Sequence, residues 1–157
     1  MSHNPLIVSY LNQFKVLYEG TAWYGESFLE KFEGLESDQA FIQPASLHSI
    51  AQIVWHCIYW RIPLIKRLQG DFAYKSSVNA PKNWLPNESL KNKGWENLKG
   101  ELAETQQQII NLLKSTSEAF LKAEYRPNIT IQVVIEGGIH HDIYHIGQIG
   151  LIKKLIT

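Results

Sequence analysis

At 157 residues, 45% hydrophobic and 19% charged, the chain has the size and composition of a single globular domain over residues 1–157, able to bury a core without disulfides or a structural metal. Its 15 basic and 15 acidic residues cancel, leaving no long-range field to steer polyanions, so nucleic acid and anionic membrane surfaces are excluded as partners and a small-molecule substrate is expected. One cysteine, Cys57, rules out an internal disulfide, no apolar run nears the ~20 residues of a membrane span, and the start MSHNPLIVSY lacks the charged and apolar regions of a secretory signal, so the expected location is cytoplasmic.

Asn4–Pro5 reads as an N-cap with proline at the first helical position. Behind it Leu6, Tyr10, Phe14, Leu17, Phe28 and Phe32 recur at helical spacings, which predicts one long or broken helix over about 5–33, weakest at Gly20 and Gly25. A loop follows through ESDQAFIQPAS, with one helical turn at Asp38. Ser49 and Gln52 fit a capping box that starts a second helix. The run SIAQIVWHCIYWRIPLIKRLQGD is apolar around most of its circumference, which predicts burial, a kink at Pro63 and a stop at Gly70–Asp71. Residues 71–93, rich in proline and asparagine with scattered aromatics, predict an ordered loop over the bundle end, in place to act as a lid. From Trp95 to about Lys114, Leu98, Leu102, Ile109, Leu112 and Leu113 line one face of an amphipathic third helix.

The last segment carries two signals. ITIQVVIEGG is β-branched like a strand, whereas IHHDIYHIGQIGLIKKL has helical spacing. A lone strand would have no partner elsewhere, so the expectation is one helix over about 131–155. Gly137, Gly138, Gly147 and Gly150 cost that helix stability and read as places where a neighbouring helix comes very close. The sum is an all-α four-helix bundle with long first and middle connections.

HHDIYHIGQ, residues 140–148, holds three of the six histidines. On a helix His141, His145, Gln148 and Ile152 share a stripe, and His140 points about a quarter-turn away. Two imidazoles four residues apart, their Cβ atoms roughly 6 Å from each other, can reach a common ion at ~2.1 Å. A third ligand must come from another helix, and the buried second helix offers His56. Singly, a buried histidine is more often a hydrogen-bonded core residue, and an H-x-x-x-H pair is weak evidence for a metal. Jointly they sharpen each other, because three buried neutral imidazoles without partners would cost about 1–3 kcal/mol each.

SIAQIVWHCIYW followed near the C-terminus by HHDIYHIGQIGLIKKL resembles the DinB/YfiT-like superfamily of metal-binding four-helix bundles, over nearly the whole chain. The resemblance implies His56, His141 and His145 as ligands of a divalent ion, commonly nickel or zinc, with water in the remaining positions. It also implies a homodimer and one of several activities: transfer of a low-molecular-weight thiol such as bacillithiol or mycothiol to an electrophile, thiol-dependent isomerisation, or metal-dependent hydrolysis. We expect a metal-dependent thiol S-transferase; a hydrolase using metal-bound water and a non-catalytic metal- or ligand-binding bundle are the alternatives. No general base stands out.

Around the ligands, Asp142 either accepts an imidazole N–H from a neighbouring helix or is solvated. Gln148 either binds a metal-bound water or packs against the second helix, and Tyr144 borders the stripe at the pocket. Cys57, about 100° round the helix from His56, reads as a buried structural thiol. Trp55, Tyr59 and Trp60 read as core or pocket wall, His48 as a surface or helix-end residue, and His3 and His140 as exposed.

Overall fold

The computed structural model describes residues 4–157, so His3 lies outside the described residues. Helix α1, Pro5–Glu19, begins under the Asn4 side chain, which accepts a hydrogen bond from the Leu6 amide at 2.8 Å. It does not run on to residue 33. The chain is extended at Gly20, where an added Cβ would come within 2.7 Å of the Val16 Cα, so only glycine permits so abrupt an exit. A hairpin follows, β1 (Thr21–Ala22) against β2 (Gly25–Glu26), with Gly25 at φ 145°. Helix α2, Phe28–Phe32, then restarts under a capping box between Ser27 and Glu30. Phe28 and Phe32 still reach the core, which is why helical spacing carries across the break.

After a 3-10 turn at Gln39–Phe41, with Asp38 at its N-cap, helix α3 covers Ile50–Leu68. Its capping box is the expected one: the Ser49 hydroxyl accepts from the Gln52 amide, and the Gln52 side chain accepts from the Ser49 amide, both at 3.1 Å. The helix runs through Pro63 and stops before Gly70, at φ 83°.

The middle connection is less irregular than its composition suggests. Residues Asn87–Lys93 form a helix, α4, within the stretch expected to be loop. One fully buried leucine, Leu90, among polar residues leaves no apolar period to read, and Asn87 ties the helix down by donating to the Phe41 carbonyl and accepting from Ser49. Helix α5, Trp95–Ser115, agrees with the predicted third helix.

A short helix α6, Glu118–Leu121, leads into β3 (Glu124–Arg126), which pairs with β4 (Ile129–Thr130) around Asn128 at φ 64°. The β-branched start of the last segment therefore does find a strand partner, immediately upstream. Only two of its residues are used, because the Thr130 hydroxyl accepts from the Val133 amide and starts helix α7, Ile131–Ile156.

Helices α1 and α3 each pack against both α5 and α7, placing α1 and α3 diagonally in a four-helix bundle. Phe14, Leu17, Ile50, Val54, Leu98, Leu102, Ile109, Ile135 and Ile149 fill its centre. Arg61 meets Asp142, and Leu64 meets Gly138, so α3 and α7 run antiparallel and bring His56 level with His141 and His145. Close approach of a neighbouring helix accounts for one of the four α7 glycines. A Cβ at Gly138 would lie 2.8 Å from Cδ2 of the buried Leu64, whereas one at Gly150 would meet only the flexible end of the Lys31 side chain; at Gly137 and Gly147 it would meet nothing within 4 Å. None of the described helices is long and apolar enough to cross a membrane.

Candidate metal centre

Helix α3 buries nearly its whole circumference, which carries His56 into the bundle at 7% exposure, while α7 presents His141 half-buried and His145 at 5%. Each of the three offers a ring nitrogen within 4.8 Å of the other two. His56 Nε2 and His141 Nε2 stand 3.2 Å apart. Two imidazole nitrogens each ~2.1 Å from one ion, at an angle of about 90–110°, would be separated by roughly 3.0–3.4 Å. The gap fits a shared ion.

The third ring is oriented by its own helix. His145 Nδ1 lies 2.6 Å from Gln148 Oε1, and since an amide oxygen can only accept, Nδ1 carries the proton and Nε2 keeps its lone pair for a cation. Gln148 thus orients the ring. Burial, reinforced by His145 and His141, pushes the His56 pKa down to about 4; burial and then His141 lower that of His145 against the opposing bond to Gln148. Both rings are neutral at pH 7, the form in which imidazole binds metal. His56 Nδ1 is buried without a hydrogen bond of good geometry, with Asn83 beside the ring.

The loop after α3 closes over this cluster. Trp84 stacks on His56 with ring centroids 3.9 Å apart and planes 11° from parallel, and His48 stacks on Trp84 at 3.9 Å and 5°. Two rings parallel to one indole at the same distance must lie on opposite faces, so Trp84 is sandwiched between histidines, with His48 on the exposed side. The half-buried Trp55, Tyr59 and Trp60 tether this loop: Trp55 Nε1 donates to the Lys82 carbonyl at 2.8 Å, Tyr59 Oη to the Ser77 carbonyl at 3.0 Å, and Trp60 Nε1 to Asn83 Oδ1 at 3.0 Å. Neither Trp84 nor this tethering is readable from periodicity, since the partners lie far along the chain.

Asp142 is 1% exposed, so it is not solvated; it accepts from no imidazole but from Arg61 Nε at 2.9 Å, and Arg61 is itself 2% exposed. Its other oxygen, Oδ1, stays 3.9 Å from His141 Nδ1, beyond hydrogen-bond reach. Tyr144 is 64% exposed and meets His145 edge-on at 5.0 Å. His140 is exposed.

Cys57 is fully buried, with its thiol pKa raised by burial, yet it comes within 4.8 Å of ring and carboxylate atoms of His141 and Asp142. That second grouping is a poor donor set, because the thiol is held protonated and Asp142 is committed to Arg61. Cys57→Ala is therefore expected to leave metal content unchanged, with a modest loss of stability from the small cavity; loss of metal from the folded variant, measured by elemental analysis, would make the thiol a ligand.

Beside His141 a cavity of about 220 Å³ opens between α3 and α7, bounded by Trp60, Arg61, Leu64, Arg67, Tyr125 and Gly137 among others. The two arginines were passed over in the sequence; the available signal was three cations, Arg61, Lys66 and Arg67, inside an otherwise largely apolar helix.

Comparison with curated proteins returned no match. A family model, that of the DinB superfamily, matches residues 23–149, from the first hairpin through most of α7, and the matched span contains all three clustered histidines. With four-fifths of its length matched, the chain belongs to the DinB superfamily.

Proposed function

We propose that this protein is a metal-dependent enzyme that joins a small thiol to an electrophile, with His56, His141 and His145 holding a divalent ion, nickel or zinc. The observation that carries the reading is a three-nitrogen donor set whose His141 side borders a cavity large enough for a small molecule. A divalent ion there would supply the charge that keeps a thiol ionised at neutral pH. The protein's own part is preorganisation. Gln148 fixes the tautomer of His145, Trp84 shields the face of His56, and the absence of any carboxylate from the three-histidine set leaves the positive charge uncompensated for an incoming thiolate. Three imidazoles suit nickel or zinc.

The test is turnover of a small thiol with a model electrophile by metal-loaded protein, comparing glutathione, bacillithiol and simple thiols. A free thiol of pKa ~8.5 is only about 3% ionised at pH 7, so complete ionisation alone is worth about thirtyfold, and positioning adds to that. Metal-stripped protein and His141→Ala are expected to lose at least this factor. Turnover that needs no thiol and places water in the product would replace transfer by hydrolysis. No turnover across a broad panel, with metal still bound, would make the protein a binding module.

A further inference from the structure

We propose that the cavity beside the histidines binds a small carboxylate with an apolar body, its anionic end held by Arg67. This assignment names a substrate class for the site and rests on the enzymatic reading above. Arg67 is buried, yet among the described residues no carboxylate lies within salt-bridge reach of its guanidinium. It is held by neutral groups: Nη1 donates to the Pro63 carbonyl at 3.2 Å, Nη2 to the Tyr74 carbonyl at 2.8 Å, and the rings of Tyr125 and Tyr74 lie 4.8 and 5.9 Å from Cζ. A buried cation without a counter-charge is costly, and an anionic ligand would compensate it. The scaffold fixes the guanidinium and leaves its charge unneutralised.

A second observation concerns another residue of the same lining. Arg61 spends Nε on Asp142 and Nη1 on the α5 groups Leu102 O and Thr105 Oγ1, while its buried Nη2 has no partner. Both arginines line the cavity, and Asp142 is the one carboxylate among its lining residues, so the cations exceed the anions by one. At about 220 Å³ the space far exceeds the ~10–15 Å³ that one water needs. Leu64, Val134, Pro63 and Tyr125 make its walls largely apolar. A Cβ at Gly137 would meet no atom within 4 Å, so this turn of α7 borders open space and not packed protein. Arg67 lies six residues beyond Arg61 on α3, a rise of about 9 Å, so a ligand with its carboxylate at Arg67 would extend its apolar body toward His141.

The experiment is calorimetric titration with 3-phenylpropionate and with its neutral amide, on metal-loaded protein and on the same preparation after chelation. The acid is expected to bind at least tenfold more tightly than the amide in both states, because a charge-assisted contact to guanidinium is lost in the amide. Arg67→Met should bring that preference close to one, and Arg67→Lys should restore part of it. If Arg67→Met fails to fold, Val134→Trp, which keeps both arginines and narrows the cavity, should weaken both ligands at least tenfold. Equal affinity for acid and amide, no binding of the acid, or unchanged affinity in Val134→Trp overturns the proposal. So does a preference that vanishes on chelation but survives Arg67→Met, since the anion would then be on the ion. Failure to turn over thiols would leave these binding results standing, so the two readings fall separately.

Discussion

Elemental analysis of the purified protein is expected to find about one divalent ion per chain, and the His145→Ala variant to hold less than about a tenth of that. The expectation follows from the donor count. Three imidazoles converge within 4.8 Å, and no carboxylate belongs to that set to take over when one is removed. Losing His145 also strands Gln148 Oε1, whose 2.6 Å contact holds the ring in its metal-binding tautomer. A graded companion is Gln148→Ala, which keeps all three nitrogens but frees the ring; it should weaken binding about 10–100-fold, the usual effect of removing an outer partner of a ligating histidine. Equal metal content in wild type and His145→Ala would remove the three-histidine assignment. Circular dichroism separates loss of ligand from loss of fold, and folding should survive, since the bundle core is built from apolar residues elsewhere on the four long helices.

What was readable in the sequence is what residues a few positions apart decide between themselves. Ser49 and Gln52 satisfy each other's backbone groups, so α3 begins where its capping box says. His141, His145 and Gln148 share a stripe because helical geometry puts them there, and the structure turns that stripe toward His56. His56 was offered by the predicted burial of its helix and settled on only through family resemblance, since nothing in IVWHCIYW says which helix it will face. The same limit hid Trp84, Arg61 and Arg67, whose significance lies in partners tens of residues away or in the lack of any. Gly20 and Gly25 marked the weak points of the first helix, but periodicity bridged them because Phe28 returns to the same core that Phe14 fills. Gly137 looked like Gly138 in sequence, and only the packing distinguishes a glycine against Leu64 from one beside a cavity.

Asp142→Ala and Arg61→Met are each expected to destabilise the protein by about 3–5 kcal/mol, because each leaves the opposite charge buried and unpaired. Both side chains are at most 2% exposed, so water cannot replace the missing partner. At about 2–4 °C per kcal/mol for a domain of this size, the melting temperature should fall by roughly 6–20 °C. Arg61 joins three helices at once, through Asp142 on α7 and through Leu102 and Thr105 on α5, so the loss should be cooperative across the bundle. The pair is nevertheless imperfectly satisfied, with Arg61 Nη2 and Asp142 Oδ1 both lacking partners. Replacing both residues, as Arg61→Met with Asp142→Leu, should therefore cost less than the sum of the single changes, with a coupling of about 0.5–3 kcal/mol. Single-variant losses below about 1 kcal/mol in urea melts would show that the pair contributes little and that water reaches it. The double variant also reports on the metal centre. At 3.9 Å from His141 Nδ1, Asp142 Oδ1 is too distant to hold that ring, so a folded double variant should keep its metal affinity within tenfold; a greater loss would mean that the carboxylate closes on His141 when the ion binds, making Asp142 a positioning residue for the ligand as well as a strut of the fold.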